Sequence, residues 1–124
     1  MALAERIFVQ DIENAQRLVT ARLGPDMASR LTQNQFDALV ADAFNTGHGG
    51  ALRGGMMGDI QAGNIAAAGR QFNAWHAIDR TTGHWVVDRG LIRRNLQEAA
   101  IFNNSDYEYH PTDAQINSIW HGGG

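Results

Sequence analysis

An all-α domain of about six helices is the fold this 124-residue sequence predicts. Three observations predict it. Apolar residues recur at three- and four-residue spacing through most of the chain. Glycine, proline and polar caps interrupt that pattern at helix-length intervals. No stretch alternates apolar and polar residues for long enough to read as a strand. Apolar residues make up 44% and charged residues 19%, which is globular composition, and the length suits one domain spanning 1–124.

The first helix is predicted over 3–22, where Ala4, Phe8, Ile12, Ala15, Leu18 and Val19 share a face and Gly24-Pro25 stops it. Met27 to Leu31 reads as a short turn. The next helix has the clearest start. Thr32 and Gln35 form a capping box, and Leu31 with Phe36 forms a hydrophobic staple around it. Phe36, Leu39, Val40, Ala43 and Phe44 then form a stripe, closed by Gly47. Such a helix belongs at the centre of the domain.

"GHGGALRGG" (47–55) reads as a flexible loop. It lacks the G-K-[ST] ending of a phosphate loop, and no strand is predicted before it. A short helix over about 56–62 breaks at Gly63-Asn64. Asn64 is expected to cap a further helix with Ile65, Ala68, Phe72 and Trp75 on one face. Residues 79–89 read as a turn with a brief extended piece. Leu91, Ile92, Asn95, Leu96, Ala99 and Phe102 mark a long helix ending near Asn103-Asn104. Pro111-Thr112 with Gln115 signals a last short helix carrying Ile116, Ile119 and Trp120. The final Gly-Gly-Gly is expected to be disordered.

Several function classes fall away. The absence of cysteine removes disulfides, thiolate zinc sites and cysteine nucleophiles. A net charge of −3 with dispersed basic residues argues against nucleic-acid binding. No apolar run is long enough to cross a membrane. The opening "MALAERIFVQDIENAQ" has no basic region followed by a long apolar run, so no signal peptide is expected. Ser29, Ser105 and Ser118 lack a nucleophile-elbow context. Asp106, Glu108 and His110 alternate and His121 follows, but alternation suits a strand and none is predicted there. No metal site and no cofactor are therefore assigned.

Three pieces, taken in order, resemble one family. They are "LTQNQFDALVADAFNTG" (31–47), "GGALRGGMMGDIQAGNIAAAGRQFNAW" (49–75) and "GLIRRNLQEAAIF" (90–102). Together they resemble the phage-type lysozymes, or endolysins, over roughly residues 3–102, with 105–124 as an extra C-terminal segment. "LAERIFVQDIENAQRLV" is similar to the long helix that joins the two lobes of that family. The resemblance implies a lysozyme-like helical lobe, peptidoglycan as ligand, a phage or prophage origin, and synthesis in the bacterial cytoplasm with access to the periplasm after release.

What the resemblance leaves out matters as much. In phage-type lysozymes the catalytic Glu ends an N-terminal helix, and an Asp or Cys and a Thr follow in a small β-rich lobe. The resemblance maps that segment ahead of residue 1, and Glu5 falls in the connecting helix. No E-G motif followed by Y-x-D and T-x-G-x-G-H occurs in these residues. Glycoside hydrolysis needs a general acid and a second group flanking the bond. Of the remaining acids, Asp37 and Asp42 lie off their helix's apolar stripe and read as surface acids. Glu98 reads as an ion-pair partner of the helix arginines. No catalytic residue is assigned.

The residues that match the family's cleft wall are Asn45, Trp75, Arg93 and Arg94. Asn45 also suits a helix C-terminus, Trp75 a core aromatic, and Arg89, Arg93 and Arg94 a solvated helix face. In the family the arginine pair faces acids of the other lobe, so here it would be free to meet a partner. Three readings follow: a module that binds peptidoglycan glycan strands, an inhibitor that binds a bacterial or phage protein, or a muramidase completed by a second chain. A homodimer covering the face of the missing lobe is a further expectation. The tail is expected to fold back through Tyr107, Tyr109, Ile116 and Trp120.

Overall fold

The structure is a computed structural model describing residues 3–46, 55–73 and 76–121, with the side chains of 3–10, 45 and 46 outside that description. Residues 47–54 of the glycine-rich loop, His48 within it, Trp75 and the final three glycines lie outside the described residues. The described elements are α1 (Leu3–Leu23), α2 (Pro25–Arg30), α3 (Gln33–Thr46), α4 (Gly55–Gln61), α5 (Ile65–Gly69), β1 (His76–Ile78), β2 (Trp85–Val87), α6 (Arg89–Asn104) and α7 (Asp113–His121). The chain is mostly α, as its apolar periodicity requires.

Both capping boxes form. Gln35 Oε1 accepts from Thr32 N–H at 3.0 Å, and Gln115 Oε1 accepts from Thr112 N–H at 2.8 Å. The hydroxyls of Thr32 and Thr112 accept in return from the N–H groups of Gln35 and Gln115. Each exchange satisfies two N–H groups that a helix start leaves without partners.

Helix α3 is the centre. Its most extensive contacts are with α6, then with α1. Leu39 and Ala38 are fully buried in it, joined by Val19 of α1, Ile60 of α4 and Ala68 of α5. Asn34 Nδ2 donates to the carbonyls of Ile101 and Phe102, so the start of α3 meets the end of α6 and the two run antiparallel.

Four expectations are corrected. First, Asp42 is buried at 1% exposure rather than lying at the surface. Helix α3 is covered on two sides, so Ala38 and Asp42, one turn apart and off the main stripe, are enclosed as well. Glu98 of α6 is likewise buried, at 2%.

Second, the helix after Asn64 ends at Gly69, so Phe72 packs into the core from outside it. Its last turn tightens where Arg70 N–H reaches Ala67 O, and Asn103 Nδ2 takes the Gly69 carbonyl at 2.9 Å. Asn64 starts this helix without a side-chain cap.

Third, residues 76–87 hold two strands, paired antiparallel as His76↔Val87, Ala77↔Val86 and Ile78↔Trp85. Their connection is built by Asp79. Its side chain accepts from Thr81 N–H, its N–H donates to His84 O, and its carbonyl accepts from Gly83 N–H. Gly83 takes φ +75°, which glycine adopts without steric cost.

Fourth, the tail returns only in part. Ile116 is fully buried, but Tyr107 and Trp120 stay about half exposed.

Helix α6 starts on Asp88, whose side chain accepts from Leu91 N–H at 2.9 Å. It ends at Ser105 in the left-handed conformation, φ 55°, with Ser105 N–H on Ile101 O and Asp106 N–H on Ala100 O. A serine pays a steric penalty there that glycine avoids. Ser105→Gly is expected to raise stability by about 0.5–1 kcal/mol, read as a later thermal midpoint by circular dichroism.

The Tyr107 hydroxyl donates to Asp37 Oδ2 at 2.7 Å. That bond raises the phenol above its ordinary value of 10.0, with desolvation and the charge of Asp37 adding to it. A raised folded value means the contribution is present below pH 10 and lost as pH rises through the raised value. Near-ultraviolet titration should therefore show a late tyrosine phase that Tyr107→Phe removes.

Candidate functional site

One end of the helical body gathers most of the cleft-wall candidates. Helices α1 and α3 run antiparallel. Thr20 meets the Ala28–Phe36 region, while Asp11, Asn14, Ala15 and Leu18 meet Ala43 and Phe44. Because α6 is also antiparallel to α3, its first turns lie at the end of the body where α3 finishes. Asn45, in the last turn of α3, and Arg93 and Arg94, in the second turn of α6, therefore share that end. The side chain of Asn45 and all of Trp75 lie outside the described residues.

A cleft of about 380 Å³ opens beside this end between α1 and α3. Ala15, Leu18, Ala43 and Phe44 give it an apolar floor, and Asp11 and Asn14 give it a polar rim. Asp11 is the one acid among its described lining residues.

The three arginines of α6 divide into two kinds. Arg89 is committed to the fold. It donates to Asn117 Oδ1, lies 5.0 Å from the centre of the Trp120 ring and is 4.0 Å from Asp113. It thereby pins α7 to the start of α6. Arg93 and Arg94 are exposed, and no acid pairs with either among the described residues. Glu98, on the same helix, is buried at 2% exposure. Two guanidinium groups one residue apart offer ten N–H donors between them in planar forks that fit carboxylates.

The comparisons with known proteins now bear on this arrangement. The phage lysozyme family model matches residues 1–98. The chain belongs to the phage lysozyme family.

The curated relatives it matches are named endolysins. The endolysin of Bacillus phage PZA is 38% identical over 74 residues, covering 60% of this chain and 27% of that protein. The endolysin of Bacillus phage B103 is 32% identical over 99 residues, covering 80% of this chain and 34% of that protein. An endolysin of Acyrthosiphon pisum secondary endosymbiont phage 1 is 29% identical over 102 residues, covering 82% of this chain and 66% of that protein. The chain thus spans about a third or less of the Bacillus phage endolysins it matches. No solved structure matches. No helix among the described residues is long and apolar enough to cross a membrane.

Sequence reasoning passed over two features of this phage lysozyme domain. Trp85 stands on β2 at 66% exposure. The signal for it was present: two short β-prone runs, "HAI" and "WVV", flank a glycine-containing loop, which is a hairpin pattern. The burial of Asp42 and Glu98 had no such signal, because a single helix wheel shows one covered face and not two. His110 lies 3.4 Å from Gln97, and Asp106 accepts from Glu108 N–H, so these tail residues serve local contacts.

Proposed function

We propose that this domain is the glycan-holding helical lobe of a peptidoglycan-directed phage lysozyme. The observation that carries the reading is the pair Arg93 and Arg94, exposed, without an acid partner among the described residues, at the end where α3 finishes. Peptidoglycan strands carry carboxylates on their stem peptides and on the lactyl groups of muramic acids that bear no peptide, and arginine forks bind carboxylates in pairs. Asn45 and Trp75 complete the glycan-facing wall in this reading, and the 124 residues act as one unit, with α7 docked on α6 through Arg89.

The reacting carboxylate comes from residues outside these 124, in the same polypeptide or a second one. Hydrolysis needs two groups about 5–10 Å apart across the sugar bond. The described cleft offers Asp11 alone, and Asp42 and Glu98 are sealed from solvent. The test is release of new reducing ends from purified sacculi. This chain alone should release none. Release at rates typical of a complete phage lysozyme would contradict the proposal and direct attention to Asp11.

A further inference from the structure

The β1–β2 hairpin carries a feature that the proposed wall of Asn45, Trp75, Arg93 and Arg94 does not use. Paired residues share a face of a hairpin, so His76, Ile78, Trp85 and Val87 lie together. On that face Trp85 is 66% exposed and Ile78 is 54% exposed. The largest apolar side chain of the segment thus stands in water, on a hairpin held rigid by the Asp79 turn.

We propose that Trp85 is a sugar-stacking platform, seating one pyranose ring of a glycan strand whose carboxylate is held by Arg93 or Arg94. This inference rests on the reading of the domain as glycan-binding. The indole face suits the C–H face of a pyranose, and its Nε1–H can donate to a ring hydroxyl. The position suits it as well. Strand β2 runs through Asp88 directly into α6. Trp85 therefore lies at most about 18 Å along the backbone from Arg93, a few sugar rings away.

The size of the patch argues against other occupants. Trp85 and Ile78 together expose roughly 250 Å², against about 800 Å² per partner in a stable protein interface. Asp79 with Arg80 and Asp88 with Arg89 balance the charge at the two ends of the hairpin, so it offers no basic cluster to draw an anionic lipid surface.

The test uses the whole chain with two probes, a peptide-free GlcNAc–MurNAc tetrasaccharide and an uncharged GlcNAc tetramer. Indole N–H signals are followed by NMR, with that of Trp85 assigned through Trp85→Phe. The Trp85 signal should shift with both probes. Trp85→Ala should weaken both about tenfold, Trp85→Phe should retain most of the affinity, and Arg93→Ala should weaken only the carboxylate-bearing probe. Binding that leaves the Trp85 signal and the Trp85→Ala affinity unchanged would overturn this inference alone. If the unaltered chain binds neither probe nor sacculi, the glycan reading falls and takes this inference with it.

Discussion

Gly69→Ala is expected to destabilise the domain by about 2–3 kcal/mol, lowering the thermal midpoint by roughly 10 °C. Ordinarily alanine in a helix gains about 0.5–1 kcal/mol over glycine. Here the added methyl would lie 1.9 Å from Asn103 Oδ1, 2.9 Å from Asn103 Cγ and 3.1 Å from Phe102 Cδ1. Asn103 can swing away, but it then abandons the Gly69 carbonyl that it bonds at 2.9 Å. Phe102 has less freedom, since it is 3% exposed and packs at a 57° tilt against Phe72, ring centres 5.4 Å apart. Steric conflict and a lost, part-buried hydrogen bond therefore outweigh propensity. A double-mutant cycle checks the cause. Adding Asn103→Ala to Gly69→Ala removes the closest conflict, so the two losses should sum to less than additive. A Gly69→Ala variant as stable as the unaltered chain would show that α5 and α6 do not approach this closely.

The second large effect concerns binding. Replacing Arg93 and Arg94 together by alanine should weaken association with purified sacculi more than tenfold at low salt. The gap between the variant and the unaltered chain should narrow as salt rises, because both side chains are exposed and screened. The melting curve should stay in place, since neither guanidinium is bonded within the described residues. Arg89→Ala should do the reverse. It loosens α7 from α6 by removing the contacts to Asn117 and Trp120, and lowers stability with little effect on sacculus binding. A double variant that binds as well as the unaltered chain would remove the arginine pair from the site.

These contrasts show which parts of the molecule are legible in its residues. Local chemistry is legible. Thr32 with Gln35 and Thr112 with Gln115 start their helices where the capping pattern says, because both partners lie within one turn. Features made by tertiary contact are not. The helix after Asn64 stops at Gly69 because Asn103, 34 positions later, claims its carbonyl. Asp42 is polar and off the stripe, yet buried, because two neighbours cover α3. The hairpin is written in three-residue strands, too short for alternation to outweigh a turn reading. At the candidate site, the family pattern picked out Arg93 and Arg94, but charge and spacing alone do not separate them from Arg89. That separation comes from α7, whose docking contact ties down Arg89 alone.

The central claim is that this lobe holds peptidoglycan, and cosedimentation with purified sacculi tests it most directly. The account predicts that the chain pellets with sacculi at low salt and that the Arg93→Ala/Arg94→Ala variant stays in solution. A chain that remains in the supernatant at low salt would contradict the claim, as would a double variant that pellets as fully as the unaltered chain.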